Sequence, residues 1–320
     1  MNSRPAAAKP RHAALPNYEE LREFSARNGV DAATTFLYQA VADSPQHGWF
    51  IEKIHSLSRE TQPSPPPADT KLVIVPGAFH RENPRSGSDG HVVREQARRM
   101  GWRVDMIPLA STGSVVENAQ TICRWLGQQR DSRIVLASVS KGGSDLKMAL
   151  HQLGAERAFE PVAVWLNLCG ILEGTPVAEW LLSSWQVEAA LSRLYCQMLG
   201  MSVAFLGDLR RAAGSPLDFE LQLPAHIQMI SVVGFPLQQH LTSGMARRCH
   251  RRLAPYGPND GGMLLADVCA LPGLIYPIWG GDHYLRSGGD MNELIGALLN
   301  FVGQELAACP TAPSTTRANR

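Results

Sequence analysis

The sequence has little of what marks membrane, nucleic-acid-binding or metal proteins. Its formal net charge is only +1, so it offers no strong field to nucleic acid or to an anionic membrane surface. No stretch approaches the ~18 consecutive apolar residues of a membrane-spanning helix. The six cysteines include no Cys-x-x-Cys pair and lack the close, even spacing of a disulfide framework. We therefore expect reduced thiols, no metal site, no nucleic-acid partner and no integral membrane segment.

The first residues also lack the pattern of a secretion signal. Residues 1–15 contain charges and prolines but no apolar core of the kind that a signal peptide requires. A soluble, cytoplasmic protein is the resulting expectation.

Composition divides the chain into a polar start, a helical stretch, a linker and a long body. Residues 1–16 are polar and rich in alanine and proline, which predicts disorder, and residues 17–58 carry apolar side chains at the spacing of one helix face. Residues 62–67 read Gln-Pro-Ser-Pro-Pro-Pro, which is typical of a stiff linker. Residues 1–69 are thus predicted to hold a disordered start, an N-terminal helical extension and this linker, and 305–320 a disordered tail.

Beyond residue 69, short apolar runs alternate with amphipathic segments of helix length. A hydrophobic content of 44% suffices for one large core with a smaller accessory layer. The short runs are almost continuously apolar, as in parallel strands that are covered on both faces. The pattern predicts an α/β fold with a mostly parallel sheet and helices on both faces. The predicted strands are residues 72–75, 102–107, 134–137, 162–168, 228–233 and 274–279, and the predicted helices are 91–100, 115–128, 144–153 and 291–301.

One long segment interrupts this alternation. Residues 174–225 lie between two predicted strands and contain several leucines and tryptophans at helical spacing. This spacing predicts an insertion of two or three amphipathic helices.

The most informative motif is Arg-Ile-Val-Leu-Ala-Ser-Val-Ser-Lys-Gly-Gly at residues 133–143. A β-branched apolar run ends in Ser-x-Ser-x-Gly-Gly and passes directly into a helix-compatible segment. This is the layout of a nucleophile elbow, a strained strand-to-helix turn that exposes a serine hydroxyl and admits only small residues around it. Ser140 is therefore the candidate nucleophile. Gly142 fills one of the two small positions, and Ser138 fills the other, where glycine is usual.

On these residues the chain resembles the α/β-hydrolase family, over about residues 71–303. The resemblance implies that residues 70–173 and 226–304 form the hydrolase core and that 174–225 form a helical cap over the active site. It also implies that an acid and then a histidine follow the serine along the chain.

His283 is the candidate general base. It lies in a Gly-Gly-Asp-His loop after the last predicted strand and before the final predicted helix, which matches the family's histidine position. An imidazole pKa near ~6.5 leaves the ring able to take the serine proton at neutral pH.

Three carboxylates compete for the role of the acid that orients His283. Asp260, in Gly-Pro-Asn-Asp-Gly-Gly, resembles the family's acid loop and precedes the histidine, although the same residues also favour a β-turn. Glu173 follows the strand after the elbow, where some relatives place their acid, and Asp267 lies seven residues beyond Asp260. The resemblance of its loop, together with its order before His283, favours Asp260, and Glu173 is the next candidate.

Backbone N–H groups are expected to form an oxyanion hole. In this family one comes from the residue after the nucleophile, here Lys141, and the other from the loop after an early strand. That loop is Pro-Gly-Ala-Phe, so the second donor is Ala78 or Phe79. No Gly-x-Gly-x-x-Gly follows this strand, which argues against a dinucleotide site. The Lys141 side chain has two open interpretations, an anionic substrate group or a pair with Asp145.

Together these residues imply a serine hydrolase that cleaves an ester or thioester of a small-molecule acyl substrate through an acyl-enzyme, without a cofactor. Two alternatives remain at this stage. An acyltransferase would pass the same acyl group to an alcohol or amine, and a non-catalytic protein of this fold would only bind a partner.

Overall fold

Six apolar runs form a single parallel sheet. The computed structural model describes residues 14–60, 65–129, 133–183, 202–286 and 288–308, together with 190, 191, 194, 197 and 198. The sheet order is β2-β1-β3-β4-β5-β6, and every neighbouring pair is parallel. All the carboxyl ends therefore meet at one edge of the sheet. The strands are β1 Thr70–Val75, β2 Arg103–Met106, β3 Arg133–Val139, β4 Val162–Leu168, β5 Gln228–Phe235 and β6 Leu274–Trp279.

Helices cover both faces of this sheet. Alternate residues of β1 show the two layers, since Leu72 and Ile74 join one buried cluster and Val73 and Val75 join another. The predicted α/β architecture is confirmed. None of the described helices has the length and apolar character needed to cross a bilayer. The helices are α1 Tyr18–Asn28, α2 Val30–Asp43, α3 Pro45–Ser58, α4 His91–Arg99, α5 Val115–Gly127, α6 Lys141–Leu150, α7 Ala155–Phe159, α8 Pro176–Leu182, α9 Gly244–Leu253, α10 Leu265–Cys269 and α11 Met291–Ala308.

The N-terminal helices α1–α3 belong to the body and do not form a separate extension. A reciprocal capping box between Asn17 and Glu20 starts α1, and the apolar faces of the three helices then turn inward. Phe50 and Ile54 of α3 are fully buried in the same cluster as sheet residues, and Leu37 of α2 packs with residues of β5 and β6. Because α2 and α3 contact these strands directly, the boundary predicted near residue 69 does not separate two cores.

The final helix is longer than predicted. It continues to Ala308, and Leu306 is buried, so residues 305–308 are helical although a disordered tail was predicted from 305. The apolar spacing of this helix continues past residue 301, which explains the difference. Residues 14–16 were also predicted to be disordered, but Leu15 packs against the buried cluster that contains Leu21 and Leu37. Residues 1–13 and 309–320, for which disorder was predicted, and the linker residues 62–64 lie outside the described part of the chain.

The described part of the insertion is helical near its start and irregular near its end. Residues 176–182 form α8, and the described residues 190, 191, 194, 197 and 198 are also helical. A 3₁₀ turn, Ala204–Gly207, follows, and residues 208–227 form turns and irregular segments. Glycine and proline at positions 214, 216 and 224 account for this, because both residues disfavour helix interiors. Most of residues 184–201 lie outside the described part of the chain.

Candidate active site

Ser140 occupies the sharp turn between β3 and α6. Its backbone has φ 50° and ψ −117°, a conformation that is costly for a residue with a Cβ and that needs support from its surroundings. The Ser140 N–H donates to the Leu168 carbonyl at 3.0 Å. A Cβ on Gly142 would lie 2.3 Å from the Val75 carbonyl oxygen, so only glycine allows this approach to β1. The strand, turn and helix of a nucleophile elbow are therefore all present.

Ser138 stands where glycine is usual, and its hydroxyl is built into the core. Trp165 Nε1–H donates to Ser138 Oγ at 2.8 Å, and Ser138 Oγ–H donates to Asn167 Oδ1 at 3.2 Å. All three residues are buried. The serine thus satisfies two polar groups of the neighbouring strand β4, which explains why a hydroxyl is tolerated there.

The three side chains predicted to act together form one hydrogen-bonded row. Ser140 Oγ lies 2.9 Å from His283 Nε2, and His283 Nδ1 lies 2.9 Å from Asp260 Oδ2. Their relative exposures are 8% for Ser140, 9% for His283 and 0% for Asp260. With Nδ1–H donating to the carboxylate, Nε2 is left to accept the serine proton.

Backbone groups hold the Asp260 carboxylate in place. Asp260 Oδ1 accepts from the N–H groups of Gly262 and Met263, at 2.7 and 2.8 Å, so Oδ2 is directed to His283. The His283 N–H also donates to the Asp260 carbonyl, at 2.9 Å. A Cβ on Gly262 would lie 2.4 Å from the His283 ring. The Asp-Gly-Gly segment therefore holds the Asp260 carboxylate by hydrogen bonds and also packs against the His283 ring.

The two competing carboxylates have other partners. Glu173 Oε1 lies 2.7 Å from Lys147 Nζ, and Asp267 Oδ2 lies 2.6 Å from Arg211 Nη1. Lys147 is fully buried and also donates to the carbonyls of residues 172 and 217. Of the three candidates, Asp260 is the one that the fold brings to His283.

Two opposing effects set the pKa of His283. Burial favours the neutral ring and lowers the pKa, while the charge and hydrogen bond of Asp260, together with the charge of Asp282, favour the imidazolium. The carboxylates outweigh burial, so the pKa of His283 is raised above its ordinary value. The site therefore stabilises the protonated histidine that forms when a serine gives up its proton.

The predicted oxyanion donors lie at the same edge of the sheet. Gly77 lets their loop approach the elbow, since a Cβ there would lie 2.7 Å from the Val139 carbonyl oxygen. Phe79 N–H donates to the Ser111 carbonyl at 3.4 Å, whereas the described residues offer no acceptor to Ala78 N–H. Lys141 is the first residue of α6, where backbone N–H groups have no intrahelical acceptor.

The side chain of Lys141 has a structural partner. Its Nζ lies 2.6 Å from Asp145 Oδ1, and Asn118 Nδ2 donates to the other carboxylate oxygen at 2.8 Å. Burial raises the pKa of Asp145 to about 6, against the pull of Lys141. Of the two interpretations of this lysine, the structure shows the pair with Asp145.

Sequence reasoning missed Cys169 beside the row. It follows the last residue of β4, has φ 47° and is buried. Its Sγ, a carboxylate oxygen of Asp260 and a ring nitrogen of His283 all lie within 4.8 Å of one another. Such donors also occur at zinc sites, but here Asp260 and His283 already bond to each other. The sequence signal that could have indicated Cys169 is its position directly after β4, the strand that pairs with β3.

A cavity of about 490 Å³ opens above Ser140. Ser140, His283 and Ala78 line it, and the insertion supplies about half of its apolar lining residues. The apolar lining residues from the insertion are Val177, Ala178, Leu181, Phe205, Leu206 and Leu209, and those from the rest of the chain include Phe79, Ile171, Met245, Ala246 and Tyr284. Described residues of the insertion therefore border the candidate site.

Comparison with solved structures identifies the fold. The metagenomic carboxyl esterase MGS0156 is 20% identical, with a TM-score of 0.58 over 76% of this chain and 78% of that chain. The mature form of Bacillus licheniformis lipase BlEst2 is 20% identical, with a TM-score of 0.52 over 76% of this chain and 94% of that chain. No protein-family model and no curated protein matches the sequence. Strand order, elbow and structural neighbours agree, and the chain has the α/β-hydrolase fold.

Proposed function

We propose that this protein is a serine hydrolase that cleaves carboxylic esters. The observation that carries the proposal is the unbroken row from Ser140 Oγ through His283 to Asp260, with both links at 2.9 Å. This row opens into an apolar cavity. A serine hydroxyl is a weak nucleophile unless a base of suitable pKa stands beside it, and that base needs an orienting group.

The mechanism follows from these positions. His283 Nε2 takes the Ser140 proton as Oγ bonds to the acyl carbon, and the carbonyl electron pair moves to the oxygen. The imidazolium then gives that proton to the leaving oxygen as its bond to the acyl carbon breaks, which releases the alcohol. Water repeats the sequence on the acyl-enzyme and returns Ser140 with a carboxylic acid.

The developing oxyanion would be held by backbone donors. The N–H of Lys141 lies at the start of α6, where the helix dipole also favours negative charge. Ala78 is the better second donor, because the N–H of Phe79 is already bonded to Ser111. Two such donors bind the oxygen most strongly when negative charge develops on it, so they stabilise the transition state more than the bound substrate.

The apolar wall supports an ester with a hydrophobic acyl group. The structural neighbours are described as a carboxyl esterase and a lipase, which points to esters ahead of other acyl compounds. A thioester would fit the same chemistry. Transfer of the acyl group to an alcohol or amine, and binding without catalysis, are the outcomes against which the proposal is tested.

Labelling with a fluorophosphonate tests the proposal. The native protein should be labelled, and the Ser140→Ala and His283→Ala variants should not, because the reagent needs an activated serine. Release of free acid from 4-nitrophenyl butyrate, unchanged when an alcohol or amine acceptor is added, would identify a hydrolase. A folded native protein that takes up no label and hydrolyses no 4-nitrophenyl acetate would be a binding protein.

The pH profile follows from the raised pKa of His283. The base must be neutral, so kcat/KM should rise with pH through a midpoint above the ordinary value of about 6.5. The stability linked to this group has the opposite sense. It is fully present below the unfolded pKa and is lost as pH rises through the folded pKa. Initial rates of ester hydrolysis from pH 5 to 9 check the first statement, which a midpoint at or below 6.5 would contradict.

Substitution of Gly262 by alanine should impair catalysis without altering the triad residues. The added Cβ would lie 2.4 Å from the His283 ring, so the ring must move away from Ser140. A displacement of about 1 Å costs about 10²-fold in rate, which kcat measurements would detect. Gly244→Ala is the matched control, because a Cβ there meets no atom within 4 Å, and its kcat should stay close to native.

A further inference from the structure

A second cavity adjoins the first at His283. It has a volume of about 360 Å³, within the usual range for small-molecule pockets. The N-terminus of α4, the carboxyl ends of β3 and β4, the loop that carries His283 and the first turns of α11 form its walls. Both cavities are bordered by Arg85, Ser86, His283, Tyr284 and Arg286.

The two cavities differ in which reacting groups they border. Ser140, Lys141 and Ala78 line the first cavity only, while His283 lines both. The first cavity therefore has the nucleophile, the oxyanion donors and His283, and of these groups the second cavity borders only His283. An ester has two arms that diverge from its carbonyl carbon, and two adjoining cavities can hold one arm each.

The chemistry assigns the arms. The leaving oxygen must lie near His283 Nε2 to receive the proton, so the alcohol arm extends past the histidine. We propose that the second cavity binds the alcohol part of the substrate, and that the preferred substrates are esters of apolar alcohols several carbons long. This inference rests on the proposed hydrolase function and specifies its substrate class.

The lining of the second cavity matches such an alcohol. One group of its lining side chains is aliphatic or thioether: Val92, Val93, Val139, Leu168, Leu285, Met291 and Ile295. The polar lining side chains at its border include Arg85, Ser86, His91 and Arg286. The guanidinium of Arg286 is held by Asp282, with Nε–H donating to Oδ2 at 3.0 Å. Its charge is thus compensated beside the cavity. An alkyl or aryl group loses little by entering such a space and gains by leaving water.

Two ester series test the assignment on the full-length protein. In alkyl butyrates only the alcohol lengthens, from methyl to octyl, and in ethyl esters only the acyl group lengthens, from acetate to octanoate. For the native protein, each methylene buried in the second cavity should raise kcat/KM for alkyl butyrates by about fourfold until the cavity is full. A pH-stat measures both series.

Variants that change one cavity at a time separate the arms. Met291→Trp fills the second cavity and should flatten the alcohol-length profile, leaving the acyl-length profile within about threefold of native. Met291→Ala enlarges the cavity and should move the preferred alcohol to greater length. Leu181→Trp, in the wall of the first cavity, should change the acyl-length profile and leave the alcohol-length profile unchanged.

The opposite results would overturn the assignment. The native kcat/KM could prove independent of alcohol length, or Met291→Trp could alter only the acyl-length profile. Either result would show that the second cavity does not bind the alcohol part, while the proposed ester hydrolysis would still stand. A native protein that hydrolyses neither series and takes up no fluorophosphonate overturns the proposed function, and this inference with it.

Discussion

Replacing Ser140 by alanine should lower kcat for ester hydrolysis by about 10⁴- to 10⁶-fold, to the residual rate that binding and oxyanion donors support without a nucleophile. The free energy of unfolding should change little, because among the described residues the Ser140 side chain hydrogen-bonds to His283 alone. Initial-rate kinetics and urea denaturation of the same preparations measure the two effects. Retention of more than about a hundredth of native kcat would remove Ser140 from the nucleophile role.

Ser138→Ala is the matched control, two residues before Ser140 and near the end of β3. It should leave kcat within a few-fold of native, since the hydrogen bonds described for the Ser138 hydroxyl join it to Asn167 and Trp165 and not to Ser140, His283 or Asp260. Trp165 Nε1–H would lose its acceptor in the core, and an unsatisfied buried donor costs about 1–3 kcal/mol. Ser140→Ala should thus lower activity with little change in stability, and Ser138→Ala should lower stability with little change in activity.

Replacing Asp260 by asparagine should lower kcat by about 10⁴-fold while the protein stays folded. The amide keeps the shape of the carboxylate but removes the charge that stabilises the imidazolium. An amide nitrogen that faces His283 would also favour the tautomer with its proton on Nε2, which cannot accept from Ser140. Steady-state kinetics, with near-ultraviolet circular dichroism as the check on packing, would measure this loss.

The competing carboxylates provide the controls for this prediction. Glu173→Gln and Asp267→Asn should each leave kcat within about threefold of native, because their partners are Lys147 and Arg211. Their effects should lie in stability, where each leaves a basic group without its counter-charge. A larger loss of kcat in Glu173→Gln than in Asp260→Asn would show that the wrong acid has been identified.

The choice of acid shows where prediction from the sequence ends. All three carboxylates follow Ser140 in the order that the family allows, and order alone cannot bring a side chain to an imidazole. Asp260 reaches His283 because the N–H groups of Gly262 and Met263 hold its other oxygen. That support depends on the backbone conformation of the turn. The sequence Asn-Asp-Gly-Gly favours a turn, but it does not determine where the Asp260 carboxylate points.

The insertion and the N-terminal helices show the same limit in packing. Their apolar spacing predicted helices, and α1–α3 are helical as expected. The surface that those helices cover could not be read from spacing, because a face of Leu, Val and Phe suits any apolar partner. Only the assembled sheet showed that α2 and α3 complete the layer over β5 and β6.

By itself, the sequence determined the parallel sheet, the elbow at Ser140 and the order of serine, acid and histidine, because each is written in local patterns of apolar runs, small residues and turns. The tertiary structure alone decided the partner of His283, the burial of Lys141 with Asp145, the position of Cys169 and the existence of a second cavity. These features join residues that are distant along the chain, such as positions 140 and 283. Contacts of that kind depend on how the layers pack, and packing is a property of the whole fold.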